Sequence, residues 1–151
     1  MTGFYNLLDT LKTELKDSPF VNTVTYGDIS DIDLNKQSIF PLSHFIVNNF
    51  QYQTNIIVFN VSLLCMDLVD ESKEDTTDIF KGNNNEQDVF NTQMNVISRV
   101  LALLERGDLY DNKYQLQGQP SSEAFVDRFD NKLAGWAVTF DVAIQNEMTI
   151  C

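Results

Sequence analysis

The chain lacks the residues and motifs from which most small catalytic and cofactor sites are built. It has one histidine and two cysteines among 151 residues, and no GxGxxG, P-loop, CxxC or HExxH pattern. These absences argue against nucleotide, zinc and redox functions. Ser43 and His44 are neighbours on a predicted strand, so they point to opposite faces and cannot form a serine triad together. We therefore expect no enzyme activity, no catalytic residue, and no cofactor or metal.

Disulfides, targeting signals and membrane spans are not indicated either. Cys65 lies on the apolar row of a predicted strand and Cys151 is the last residue. So sparse a pair is typical of reduced thiols in a cytosolic protein. No apolar run approaches the roughly 20 residues that span a bilayer, and the N-terminus lacks the basic and apolar regions of a secretory signal. We expect a soluble protein made in the cytosol.

Positive charge is scarce, and the net charge is −12 with only 10 basic residues. These bases are scattered, so no cluster could neutralise a row of nucleic-acid phosphates or dock on an anionic membrane. The acids concentrate between Asp67 and Asp78. This acidic run is either a solvated loop or a docking segment for a basic patch on a partner. Asp28, Asp31 and Asp33 are spaced wrongly for an EF-hand calcium loop and indicate turns.

The residues that are present predict an α+β domain. Odd positions from Ile57 to Cys65 form an unbroken apolar row, which is typical of a strand over Asn55–Val69 with one face buried. An amphipathic helix is predicted from Thr2 to about Asp17, and a second runs from the N-cap residues Asn83–Asn85 to about Glu105. The second helix carries two adjacent apolar stripes, one of which consists of Phe90, Met94, Ile97, Leu101 and Leu104. It therefore lies across the middle of a sheet, or is covered on a second side by another helix or subunit.

Four more strands complete the predicted sheet. They lie at Val21–Tyr26, Ser43–Phe50, Ser122–Phe129 and Leu133–Ile144, and turns at residues 51–54 and 130–132 make two antiparallel hairpins. We expect an antiparallel sheet of about five strands with two main helices packed on one face. A single domain is predicted over residues 1–151, with an extended loop at about 27–38, an acidic segment at 67–83 and a C-terminal tail at 145–151.

Several stretches resemble small virion proteins of tailed bacteriophages. They are GNNNEQDVFNTQ at 82–93, FVDRFDNKLAGW at 125–136 and NEMTIC at 146–151, together with FYNLLD at 4–9, DISDID at 28–33 and FPL at 40–42. The likeness is to proteins encoded among the tail and neck genes of phages of Bacteroidetes-type hosts, including crAss-like phages. The order of elements is also similar to that of tail-terminator and tail-completion proteins, which form rings at the head–tail junction.

The resemblance implies a homo-oligomeric ring in the virion, stacked between portal or adaptor and tail, with DNA passing through without specific binding. It leaves six-fold and twelve-fold symmetry open. The residues we predict at a partner interface or in the lumen belong to the unburied segments: Asp31, Asp33, Asp70, Glu71, Glu74, Asp75, Met148 and Ile150. The alternative is a binding module or tail-assembly chaperone in the host cytoplasm that never enters the virion.

Overall fold

The computed structural model describes residues 3–28, 39–69, 86–106, 114–128 and 132–145. Within these ranges lie two helices and six strands, and the predicted α+β class is confirmed. In chain order the elements are α1 (Gly3–Lys16), β1 (Thr23–Tyr26), β2 (Leu42–Tyr52), β3 (Ile56–Leu68), α2 (Glu86–Arg106), β4 (Gln115–Gln117), β5 (Ser122–Arg128) and β6 (Lys132–Gln145).

The first helix forms and ends as its sequence predicts. Leu7, Leu11 and Leu15 recur every fourth residue, so they lie on one side of α1, and all three are buried. The helix ends at Lys16 because Pro19 has no N–H to continue the ladder. The amide of Ser18 instead donates to the Leu15 carbonyl at 3.2 Å.

Strand β3 shows the predicted alternation of burial. Ile57, Phe59, Val61, Leu63 and Cys65 are buried, whereas the intervening residues up to Leu64 are only partly covered. Strands β2 and β3 pair antiparallel, which confirms the first hairpin. The Gln53 amide donates to the Ile56 carbonyl at 3.0 Å within its turn.

The prediction of an antiparallel sheet of about five strands is wrong in two respects. The sheet has six strands and is mixed, with the order β1-β2-β3-β6-β4 and β5 also paired to β6. Strand β1 runs parallel to β2 because a long connection separates them, and only a short turn forces antiparallel pairing. Strand β4 was missed because Gln115–Gln117 holds a single apolar residue, Leu116, and so shows no periodicity.

Both helices pack on the same face of this sheet, as predicted. Strand β6 lies inside the sheet, with β3 along one side and both β4 and β5 along the other. The inward row of β6 and that of β3 form the core together with residues of α1 and α2. The main buried members are Leu7, Leu11, Leu15, Val61, Leu63, Val96, Ile97, Val100, Leu104, Val138, Phe140 and Val142.

Arg99 of α2 connects the two helices. Its Nη1 donates to the Glu14 carbonyl at 2.7 Å, and its Nη2 lies 3.1 Å from the Glu14 carboxylate. Glu14 is in the last turn of α1, where carbonyls have no partner within the helix. The contact therefore caps α1 and holds it beside α2. Helix α1 is thus the element that, besides the sheet, covers the wide apolar surface of α2.

The other face of the sheet, which we call the open face, carries no helix within the described ranges. At one end it has a small apolar cluster of Phe40, Leu42, Met66 and Leu133. Elsewhere it is covered by a row of hydrogen-bonded polar side chains that we call the polar ladder. The polar ladder consists of Asn48, Asn60, Ser62, Thr139 and Asp141.

Candidate assembly surface

Every residue predicted at a partner interface or in a lumen lies outside the described residues. These are Asp31, Asp33, Asp70, Glu71, Glu74, Asp75, Met148 and Ile150. The predicted N-caps Thr2 and Asn83–Asn85 lie outside them as well. The acidic segment does not begin as a loop, since its first member, Asp67, lies in β3 and accepts a 2.7 Å hydrogen bond from the Leu68 amide. Burial raises the pKa of the Asp67 carboxyl.

The one histidine joins two strands. His44 is buried on the open face, its Nε2 lies 2.6 Å from the Gly27 carbonyl, and its Nδ1 lies 2.8 Å from the Thr25 hydroxyl. A neutral ring that donates from Nε2 and accepts at Nδ1 satisfies both contacts. Burial lowers the pKa of His44, while the Gly27 carbonyl and the Asp28 carboxylate partly offset this effect.

The described cysteine is also part of the packing. Cys65 is fully buried in β3, and its Sγ lies 3.5 Å from the Ser43 hydroxyl. Burial raises the pKa of its thiol to about 12, so the group stays protonated at neutral pH. In the described ranges, no three His, Cys, Asp or Glu side chains are grouped in a way that could hold a metal ion.

Exposed aromatic side chains gather where the β2–β3 hairpin meets the start of α1. Tyr5 is 69% exposed, Tyr52 68%, Phe50 63% and Phe4 39%. Phe4 and Phe50 each lie 6.1 Å, between ring centroids, from the buried Phe59, and Tyr5 lies 5.9 Å from Phe4. Tyr52 follows Phe50 by two residues in β2 and therefore lies on the same face of the strand. We call these four exposed residues, Phe4, Tyr5, Phe50 and Tyr52, the aromatic patch. Large contiguous apolar surface of this kind marks an interaction site.

The strand edge beside the aromatic patch is unpaired. Strand β1 covers only Leu42–Phe45 of β2, and no strand of the described chain pairs with the outer side of residues 46–52. A bulge at Asn48 shifts the register between Val47 and Asn49 and interrupts this edge. The side chains of the aromatic patch, rather than a long run of backbone groups, therefore offer most of the contact area.

The β2–β3 hairpin, which carries Phe50 and Tyr52, has no formal charge up to Asp67. Residues 37–66 contain none of the 22 acidic and 10 basic residues of the chain. Natural sheets usually protect an exposed edge strand with charged residues, above all lysine. Within the described ranges the β2 edge at residues 46–52 has no charged residue and no partner strand, and four exposed aromatics lie beside it. In a chain with a net charge of −12, these features make it a candidate interaction surface.

A second uncharged surface lies at the opposite edge of the sheet, where α2 passes β5 and β6. It is a groove of about 300 Å³, which we call the α2–β5 groove. Its lining consists of Met94, Ile97, Ser98, Leu101, Pro120, Ser122 and Trp136. Met94 is 51% exposed although it lies on an apolar stripe of α2 with the buried Ile97 and Leu104.

The floor of the α2–β5 groove is held rigidly. The Trp136 indole N–H donates to the Phe90 carbonyl of α2 at 2.8 Å. The Phe90 and Trp136 rings meet edge to face, with centroids 5.7 Å apart. This geometry is favourable for aromatic pairs, so the Trp136 ring is preorganised before any ligand arrives.

The polar ladder crosses three strands on the open face. The Asn48 amide donates to Asn60 at 2.9 Å and to Ser62 at 2.8 Å, and the Asn60 amide donates to Asp141 at 2.8 Å. The Ser62 and Thr139 hydroxyls lie 3.1 Å apart. These bonds connect the side chains to one another, so the ladder holds β2, β3 and β6 in register.

Comparison with protein-family models and with curated protein sequences found no match. Among the described residues, no helix is long and apolar enough to cross a membrane.

The arrangement is suited to binding a protein surface. Neither candidate surface was predicted from the sequence, because Phe4, Phe50 and Met94 belong to apolar patterns in which exposed and buried members look alike. The uncharged stretch from 37 to 66 was the signal that could have located the first of them.

Proposed function

We propose that this protein is a non-enzymatic structural subunit that self-associates into a ring in the neck or tail of a tailed bacteriophage. The identity of the particle rests on the resemblance of residues 4–9, 82–93, 125–136 and 146–151 to phage virion proteins. Self-association rests on one structural observation, the uncharged aromatic patch beside the open edge of β2. The proposal also includes a tail-terminator-like arrangement of the subunit and its location in the virion.

The aromatic patch provides apolar surface whose burial favours association. Burying one large apolar side chain contributes about 1.5–3 kcal/mol, and aromatic residues dominate interface energetics. Copies that each carry a charge of −12 repel one another over most of their surface. The uncharged region is where two copies approach at the smallest electrostatic cost.

A ring also fits the acidic character of the chain. Carboxylates around a channel repel DNA phosphates, so DNA slides through without sticking. We predict that Asp31, Asp33, Asp70, Glu71, Glu74 and Asp75 line the lumen or a subunit junction, and that the tail residues Met148 and Ile150 contact a neighbour. The ring is six- or twelve-fold, and it meets portal or adaptor proteins on one side and tail proteins on the other.

The alternative function is a cytoplasmic chaperone or binding module that holds a tail component. The same aromatic patch would then cover an apolar surface of that component. Mass spectrometry of purified virions separates the two functions, because a ring subunit remains in the particle at many copies and a chaperone is absent from it.

The test of self-association compares the wild-type protein with a variant of the aromatic patch. We expect sedimentation velocity and electron microscopy to show rings for the wild type and monomers for Tyr52→Glu. The matched control is Phe20→Glu, because Phe20 is an exposed aromatic beyond the far end of α1. A wild-type chain that stays monomeric at high concentration and is missing from virions would refute the proposal.

A further inference from the structure

The two uncharged surfaces lie on opposite edges of one sheet. The aromatic patch is beside β2, the α2–β5 groove is beside β5, and strands β3 and β6 separate them. One surface projects exposed rings, and the other is a recess lined by apolar side chains and two serine hydroxyls. An apolar recess can receive an exposed aromatic ring, and one chain carries both.

We propose that the aromatic patch of one copy docks in the α2–β5 groove of the next copy, head to tail. This inference rests on the proposed self-association and names the two surfaces that meet. It excludes an interface in which two β2 edges pair about a two-fold axis. Because the two surfaces differ, the contact is heterologous, and its repetition closes a ring when the rotation between copies allows it.

The lining of the α2–β5 groove selects an aromatic occupant. Met94 provides a polarisable thioether, which binds favourably at ring edges. Trp136 presents a ring already fixed by its bond to the Phe90 carbonyl. Ser98 and Ser122 supply hydroxyls that can pair with a tyrosine hydroxyl. Tyr5 and Tyr52 have the amphipathic character that such a site requires.

Charge favours a second copy over another class of partner. A basic partner would bind where acidic side chains are exposed, and the chain has 22 acidic residues. Neither candidate surface includes any of them, since the four residues of the aromatic patch and the lining of the groove are all uncharged. The groove therefore favours an uncharged apolar occupant, and the aromatic patch of a second copy is one.

The experiment combines two variants that each damage one surface. Tyr52→Glu places a charge in the aromatic patch, and Met94→Glu places one in the α2–β5 groove. Both side chains are at least half exposed, at 68% and 51%, so the fold tolerates the changes. Asn95→Glu is the control for Met94→Glu, because it adds the same charge at the next residue of α2, which is exposed and does not line the groove.

We expect each variant alone to remain a monomer, and an equimolar mixture to form a species of twice the 17.3 kDa chain mass and nothing larger. The mixed pair has one intact junction, between the patch of Met94→Glu and the groove of Tyr52→Glu. Sedimentation velocity detects this mixed dimer. A high protein concentration is needed because a single junction lacks the added affinity that ring closure provides. Asn95→Glu should assemble like the wild type.

Three other outcomes overturn the inference in distinguishable ways. If Met94→Glu assembles like the wild type while Tyr52→Glu does not, the groove is not the receptor, and self-association through the patch stands. If both variants are folded monomers by circular dichroism but their mixture shows no dimer, the two surfaces are not partners. If the wild type stays monomeric at high concentration, the proposed self-association fails, and this inference fails with it.

Discussion

At the scale of single residues, Gly135 shows how closely the central strands approach each other. A Cβ added there would lie 2.0 Å from the Cys65 carbonyl oxygen and 2.8 Å from Met66 Cα. Both atoms belong to the backbone of β3, so no side-chain rotation could relieve the clash. Gly135 is therefore required for β6 to pair with β3 at this point.

We predict that Gly135→Ala lowers the free energy of unfolding by about 3 kcal/mol or more, as overpacking against a rigid backbone does. The control is Gly118→Ala. Gly118 has φ of +72° but no atom within 4 Å of an added Cβ, so only backbone strain of about 1–2 kcal/mol is expected. Urea unfolding measures both free energies. Equal losses of unfolding free energy in the two variants would show that a Cβ at position 135 does not clash seriously with the β3 backbone.

His44 makes stability depend on pH. Burial lowers its pKa in the folded protein below the ordinary value of about 6.5. The unfolded chain therefore binds more protons than the folded chain between the two pKa values. His44 contributes its full stability above about pH 6.5, and this contribution is lost as the pH falls through the folded pKa.

We predict that the free energy of unfolding, measured in urea, decreases between pH 7.5 and pH 5.5, and that His44→Gln removes this decrease. Comparison with the variant is needed because Asp67 acts in the opposite direction. Its raised pKa makes the folded state bind the extra proton, so stability falls as pH rises through that value. An unchanged pH profile in His44→Gln would contradict the assignment to His44.

Gln93 is a residue that sequence patterns did not single out. Its side chain is fully buried in α2, and within the part of the chain that the structure describes neither its amide nitrogen nor its amide oxygen has a hydrogen-bond partner. An unsatisfied buried amide costs about 1–3 kcal/mol.

At the scale of elements, Arg99 determines how α1 sits beside α2. It makes a hydrogen bond to the Glu14 carbonyl and an ion pair with the Glu14 carboxylate. The Arg99 and Glu14 side chains are 38% and 20% exposed, so solvent screens the ion pair. The bond to the carbonyl of the last turn of α1 is the larger contribution.

We predict that Arg99→Ala lowers the free energy of unfolding by about 1.5 kcal/mol, the lower end of the range for loss of a hydrogen bond from a charged donor. Glu14→Gln removes only the ion pair and keeps the carbonyl, so a loss below about 0.5 kcal/mol is expected. Urea unfolding at low and high salt measures both. Equal losses for the two variants would show that the ion pair, not the capping bond, connects the helices.

Among the elements, the long and strongly periodic ones could be predicted from sequence. Helices α1 and α2 and strands β3 and β6 each repeat an apolar residue at the helix or strand period over at least three turns or six residues. Strand β4 could not be found because one apolar residue defines no period. The parallel pairing of β1 with β2 could not be found either, because it depends on the path of a long connection.

At the scale of the whole molecule, the net charge of −12 opposes self-association and the uncharged surfaces permit it. Raising salt from about 0.1 M to about 1 M shortens the Debye length from about 10 Å to about 3 Å. The repulsion between copies is then screened, while the apolar contact remains.

We predict that added salt tightens assembly several-fold in sedimentation velocity. Tyr52→Glu serves as the control and should stay monomeric at every salt concentration. An interface between the acidic segment and a basic patch would instead weaken as salt is added, because salt screens the attraction between unlike charges. Dissociation at high salt would therefore contradict an uncharged interface.

The sequence alone determined the α+β fold class and many of the core residues. The reason is that apolar periodicity depends only on residues close to one another along the chain. The sequence also determined the large negative charge. Only the tertiary structure decided which apolar residues remain exposed. Phe4 and Met94 follow the same periodicity as their buried neighbours, and their exposure depends on how far the sheet and the other helix extend. The aromatic patch and the α2–β5 groove arise at those limits, where residues distant in sequence come together.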